Sequence, residues 1–177
     1  MKKQAILAIA LLVSFTAFSQ KTHQVMGWKI SKDIPQNEVK LNLLNTIFYS
    51  FSEITYERIL SADFSVGGSL GVALEPGTYP VDFAVTPYAR WFFGGNAKNL
   101  QKYGAGFFIE ANGAIVSTNE NSYDMKSELL AGLGLAIGWK YLSLNNWVGE
   151  LYLGAGRYSD SDYVGYPRLG ISIGKRF

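Results

Sequence analysis

At 177 residues the chain has room for one domain, and with no cysteine it has neither disulfides nor thiolate metal sites. Lys and Arg total 16 against 14 Asp and Glu, a formal charge of +2, too small a basic excess for a nucleic-acid binder. No run of about 18 apolar residues reads as a membrane helix.

The first 19 residues read as an address. Lys2 and Lys3 form a positive start, Ala5 to Phe18 a short apolar core, and Ala17 and Ser19 are the small residues expected before cleavage ahead of Gln20. Residues 1–19 are therefore predicted to be a secretory signal peptide. No cysteine follows, so a lipoprotein anchor is excluded. Its removal leaves 14 basic and 14 acidic residues, a net charge of zero. Residues 20–38 are polar and unpatterned and predict a periplasmic tail.

From Val39 onward the chain alternates with period two, the signature of strands with unlike faces. The first strand is expected from Val39 to Thr46, with an aromatic connection at Phe48, Tyr49 and Phe51. The second, Ser52 to Leu60, sets Ile54 and Tyr56 against Glu53, Thr55 and Glu57. The third, Phe64 to Leu74, opposes Phe64, Val66, Leu70 and Val72 to Ser65, Gly67, Ser69, Gly71 and Ala73. The fourth, Pro80 to Phe93, contains Pro87, read as the mark of a bulge. The fifth runs from Tyr103 to Val116 and the sixth from Ser127 to Lys140. The seventh spans Trp147 to Tyr158 and the eighth Pro167 to Phe177. Polar connections separate them, the last being the acidic, tyrosine-bearing stretch Ser159–Tyr166.

Eight such strands of roughly 9–14 residues predict an all-β fold, an eight-stranded antiparallel up-and-down transmembrane β-barrel over residues 39–177. Period two does not itself choose the outward face. A soluble lipocalin-like carrier has the same alternation with the sense reversed. Three features select the apolar face as outermost. The polar faces carry mostly Gly, Ser, Ala and Thr with few charges. An eight-stranded interior is just wide enough for packed small side chains. Aromatics also collect at strand ends. Trp91, Phe93, Tyr103, Trp139, Tyr141, Trp147 and Phe177 fall at one rim. Phe48, Tyr49, Phe51, Tyr79, Tyr123, Tyr158, Tyr163 and Tyr166 fall at the other. Both barrel termini share the Trp-rich rim, expected to be periplasmic.

The signal peptide, the alternating strands and terminal Phe177 resemble small outer-membrane barrels typified by the OmpA membrane domain and OmpX. The stretches Lys40-Leu41-Asn42-Leu43-Leu44, Ile54-Thr55-Tyr56-Glu57-Arg58 and Thr86-Pro87-Tyr88-Ala89-Arg90 also resemble an uncharacterised family of such barrels. The resemblance covers about Val39 to Phe177. It implies residence in the outer membrane of a Gram-negative bacterium, contact with outer-membrane lipids, and recognition by the barrel-insertion machinery. The family's assembly signal has a second aromatic two residues before the last; here that position is Lys175.

The predicted inward face carries five carboxylates, Glu53, Glu57, Glu110, Glu128 and Glu150, and five bases, Lys40, Arg90, Lys140, Arg168 and Arg176. Charges in a narrow lumen are costly unless paired. By strand depth, Glu53 and Glu128 are expected to meet Arg168, while Glu57, Glu110 and Glu150 surround Arg90. The expected result is an ion-paired, plugged lumen; the alternative is a catalytic carboxylate pair or an ion path. Enzymatic barrels of this shape use a histidine. The single one here, His23, stands in the tail without a ligand cluster, so neither catalytic nor metal residues are predicted, and no cofactor. The paired glycines at Gly104-Ala105-Gly106, Gly132-Leu133-Gly134 and Gly154-Ala155-Gly156 lack the spacing of a nucleotide loop. Period two accounts for them. Tyr158, Asp160, Asp162, Tyr163 and Tyr166 form a second candidate, a loop surface for an extracellular or envelope protein partner, with adhesion or ligand binding as the alternative function.

Overall fold

The computed structural model describes residues 35–75, 80–93, 103–118, 129–159 and 165–177. The predicted signal peptide, His23, Tyr79, Tyr123, Glu128, Asp160, Asp162 and Tyr163 lie outside them.

Eight strands form a closed antiparallel barrel in which each pairs with its sequence neighbour and the last pairs with the first. They are β1 (Asn37–Asn42), β2 (Phe51–Ile59), β3 (Phe64–Ala73), β4 (Val81–Phe93), β5 (Gly106–Thr118), β6 (Leu129–Leu142), β7 (Trp147–Tyr158) and β8 (Tyr166–Arg176). Closure removes every free strand edge. It is made between β1 and β8, from Glu38 opposite Arg176 to Asn42 opposite Ser172.

The faces follow the alternation. Leu133 and Leu151 look outward, 77% and 57% exposed, as do Ile54, Leu70, Leu135 and Ile171. The inward positions of the same strands hold Glu57, Ser69, Arg90, Glu110, Lys140 and Ser172, all buried. Bulky inward aromatics rest on glycines of neighbouring strands. A Cβ at Gly170 would overlap the Tyr152 ring, one at Gly71 the Phe51 ring, and one at Gly138 the Phe108 ring. The glycine stripes are therefore sockets that let rings fit inside a narrow barrel.

The end at which β1 begins and β8 ends is girdled by exposed Trp91, Phe93, Phe107, Trp139, Tyr141 and Trp147. Trp91 stacks on Phe93 with centroids 5.3 Å apart, and Phe107 meets Trp139 edge-on at 5.5 Å. Lys175 lies over Trp147 at 5.1 Å. We call this the terminal end and its opposite the far end.

Several boundaries differ from the sequence reading. β1 begins at Asn37, which takes Glu38 out of the expected tail and into the barrel wall. The first strand also stops early. Leu43–Phe48 is a short helix, α1, where a strand to Thr46 was expected. Asn42 caps it, accepting from the Asn45 N–H at 3.4 Å, and the Thr46 hydroxyl donates to the Asn42 carbonyl at 2.6 Å. α1 packs against both β2 and β8, across the seam that a longer β1 would have filled. The irregularity in β4 lies between Val81 and Phe83, not at Pro87. Pro87 sits opposite Gly68 of β3, and the register with β5 is the same on either side of it. A Cβ on Gly113 of β5 would stand 3.5 Å from the proline ring, an ordinary contact, so the ring is accommodated there without a bulge.

Candidate functional site

The lumen holds the chemistry, because alternation sends the charged side chains there. Among the described residues, the buried charges are Glu38, Glu53, Glu57, Glu110 and Glu150 with Lys40, Arg90, Lys140, Arg168 and Arg176. The two signs balance.

Glu57 is the hub. Its carboxylate accepts from the Lys40 ammonium, from Lys140 at 2.6 Å, from Arg90 at 2.8 Å, from the Tyr88 hydroxyl at 3.0 Å and from Ser65 at 2.6 Å. Lys40 also donates to Glu150 at 2.6 Å, and Lys140 to Glu38 at 2.8 Å. Arg90 reaches three acids from three strands: Glu57, Glu110 at 2.8 Å and Glu150 at 3.0 Å. Its guanidinium carbon stands 4.3 Å from the ring centroids of both Tyr88 and Phe108. Below this layer, Arg176 donates to Glu38 at 2.7 Å and to the carbonyls of Tyr103 and Gly104 at 2.6 and 2.9 Å. Phe92, Phe108 and Tyr152 form an apolar cluster alongside.

Glu38, Glu57 and Glu150 bring carboxylate oxygens within 4.8 Å of one another, a spacing that would suit a cation. Lys40 and Lys140 already stand at those oxygens. Their ammoniums occupy the lone pairs that a metal, or a proton awaiting transfer, would use.

Nearer mid-barrel, Arg168 donates to Glu53 at 2.6 Å and to Glu110 at 3.1 Å. Asn42 and Asn45 each donate to Glu53 at 2.9 Å, tying α1 to this layer. Tyr166 donates to Asn112 at 2.8 Å, and Asn112 to Glu110 at 3.2 Å. Beyond Arg168 the filling changes. A cavity of about 250 Å³ opens, lined by Phe51, Val81, Ala84, Val116, Leu130 and Tyr166 among others.

The structure thus brings Arg90 together with Glu57, Glu110 and Glu150, and Arg168 with Glu53. Glu128, the second expected partner of Arg168, lies outside the described residues; Glu110 takes that place. Sequence reasoning missed Glu38, although it stands two residues before Lys40 and so shares its face. It also placed Tyr166 in a loop and gave Tyr158, rightly read as the end of the seventh strand, to the same loop surface. They end β7 and begin β8, face inward, and pair with centroids 5.0 Å apart. Phe51, expected at the rim, likewise points into the lumen and is buried.

No family model matches the sequence, and no curated protein matches it either. Among solved structures the chain is similar to the Yersinia pestis outer membrane protein Ail in a phospholipid bilayer nanodisc. Identity is 11%, with 81% of this chain and 99% of that chain covered and a TM-score of 0.44.

Proposed function

We propose that this chain is an integral outer-membrane barrel of a Gram-negative envelope, with a structural or interaction role, and that its lumen is shut at the terminal end. The carrying observation is the pairing of an outward apolar face with an inward ten-charge network. Exposed Leu133, Leu135, Leu151 and Ile171 are the wrong surface for water and the right one for acyl chains. The Trp-rich girdle suits a headgroup boundary, and the terminal end is read as periplasmic. Outer-membrane lipids are the first partner in this reading, and the insertion machinery is met during assembly.

The role is read as non-enzymatic. Among the described residues each buried carboxylate in the lumen accepts from a cation, an arrangement suited to holding strands together and poor for proton transfer. It is also read as non-conducting. An ion crossing the terminal half would have to part Lys40, Arg90 and Lys140 from Glu57 and Glu150.

Planar-bilayer recordings on the refolded protein test the closed lumen. No stable open level is expected, and a large, steady conductance overturns the plug. Folding as a water-soluble monomer without amphiphile would overturn the membrane reading itself.

A further inference from the structure

Among the described residues the sheet is interrupted beside the far cavity. Pairing of β1 with β8 ends at Asn42 opposite Ser172, and with β2 at Leu41 opposite Ile54. β8 from Tyr166 to Ile171 and β2 from Phe51 to Glu53 therefore meet no strand across the seam. Register explains why β1 does not run on. Continued, it would set Thr46 opposite Tyr49 and leave Ile47-Phe48 as a two-residue turn, a place for Asn and Gly and not for β-branched or aromatic residues. The chain forms α1 instead. The β8 edge is built to stand without a strand. Asn42 donates to the Leu169 carbonyl at 3.2 Å, so the odd-numbered residues of β8 turn their backbone groups to the seam. Pro167 shares that parity and brings no N–H to the edge.

α1 covers the seam shallowly. None of its residues is buried, and Ile47 and Phe48 are 68% and 77% exposed. The cavity of about 250 Å³ reaches the seam, where Asn45 of α1, Phe51 of β2 and Pro167 of β8 line it. Pro167 is exposed and outward in the alternation, so the cavity extends there to the outer side of the wall. Deeper, its walls are Ala84, Val116 and Leu130. Glu53 also lines it, and that carboxylate is already taken by Asn42, Asn45 and Arg168.

We propose that a lipid acyl chain enters this cavity through the seam between β2 and β8, past α1, while its headgroup stays outside in the leaflet at the far end. The occupant follows from where the opening lies. Beside it stand exposed Leu169 and Ile171 of β8 and Ile47 and Phe48 of α1, a surface that meets hydrocarbon. Inside, the walls are apolar and the Glu53 carboxylate has its hydrogen bonds, so a headgroup drawn inward loses hydration and gains no acceptor there. A tail passes from one apolar medium to another and gains packing against walls that otherwise face a void. Size follows by proportion: a cavity of roughly 150 Å³ accepts benzene, so this one takes about ten chain carbons.

The site rests on the proposed membrane reading, and one experiment separates the two. The protein, deuterated except for its Ala, Val and Leu methyls, is placed in nanodiscs of dimyristoylphosphatidylcholine. Nuclear Overhauser effects are read from chain, choline and water protons to inward methyls of Ala84, Val116 and Leu130 and to outward methyls of Leu133, Leu135 and Leu151. Chain protons are expected to reach both sets, and choline protons none of the inward methyls. Asn45→Trp, which fills the seam where α1 lines the cavity, is expected to abolish the inward chain effects and keep the outward ones; Pro167→Trp serves if that variant does not fold. Val116→Trp is expected to do the same from within, read at Ala84 and Leu130.

Chain effects confined to the outward methyls, or water at the inward methyls in their place, overturn the site and leave the membrane reading standing. Choline effects at the inward methyls overturn entry by the tail. Inward effects that survive the filled seam overturn the route, and those that survive Val116→Trp overturn the location. Absence of chain effects at both sets overturns the membrane reading and the site with it.

Discussion

The two halves of the lumen use one wall to opposite ends. At the terminal end, Glu57, Glu150 and Glu38 share Lys40 and Lys140, and the Arg90 guanidinium lies over Tyr88 and Phe108. Space and charge are both consumed there. At the far end the inward positions are Phe51, Ala84, Val116 and Leu130, and they leave a cavity. The closure differs in the same sense. β1 pairs with β8 between Glu38 and Asn42, beside the network, whereas α1 packs on β2 and β8 beyond it. Ion pairing in a lumen thus works as a cross-brace: Glu57, on β2, takes bonds from β1, β3, β4 and β6. The half without such bracing is the one with room for a guest.

Removing the hub is the sharpest way to break this contrast. Glu57→Ala leaves Lys40, Lys140 and Arg90 short of a shared acceptor, and breaking a buried ion pair costs about 3–5 kcal/mol. The upper end is expected, read as a lowered urea midpoint in micelles and as loss of the compact band on an unheated gel. A variant that unfolds like the parent would mean that the network carries no stability. Arg90→Ala is expected to cost less, about 3 kcal/mol, because its partners keep other cations: Glu57 and Glu150 retain Lys40, and Glu110 retains Arg168. Equal losses in the two variants, measured by the same unfolding, would contradict the hub.

Much of this was legible from period two. The faces of Ile54, Leu70, Leu135 and Leu151 follow from alternation, and strand depth alone placed Arg90 among Glu57, Glu110 and Glu150. α1 was not legible, because a short apolar run such as Leu43-Leu44-Asn45-Thr46-Ile47-Phe48 suits a strand or a helix equally. The choice is tertiary: Asn42 and Asn45 both reach Glu53 in the lumen, and Asn42 caps the turn that results. Glu38 was lost to a boundary, although its phase with Lys40 was visible. Phe51, Tyr158 and Tyr166 were read by their nearness to strand ends when their phase with Glu53, Tyr152 and Arg168 pointed inward. The cavity could not be read at all. It depends on how much volume inward side chains leave between non-adjacent strands, which no single strand's pattern records.

Steric tests sharpen the comparison on a smaller scale. Gly170→Ala places a methyl against the Tyr152 ring and is expected to cost about 1–3 kcal/mol, as overpacking does. The matched pair Ala136→Leu and Ala84→Leu then makes one chemical change in each half. Ala136 is buried in β6, and a Cβ on Gly154 of β7 would already collide with it, so enlargement there is expected to cost about 1–3 kcal/mol. Ala84 lines the cavity, and leucine there fills existing space, with an expected gain of about 0.5–1 kcal/mol. Denaturant midpoints in the same micelles measure both. Opposite signs mean that the two halves differ in packing as well as in charge. A loss at Ala84 as large as that at Ala136 would mean that the far half has no room to yield, and the distinction between brace and cavity would fail.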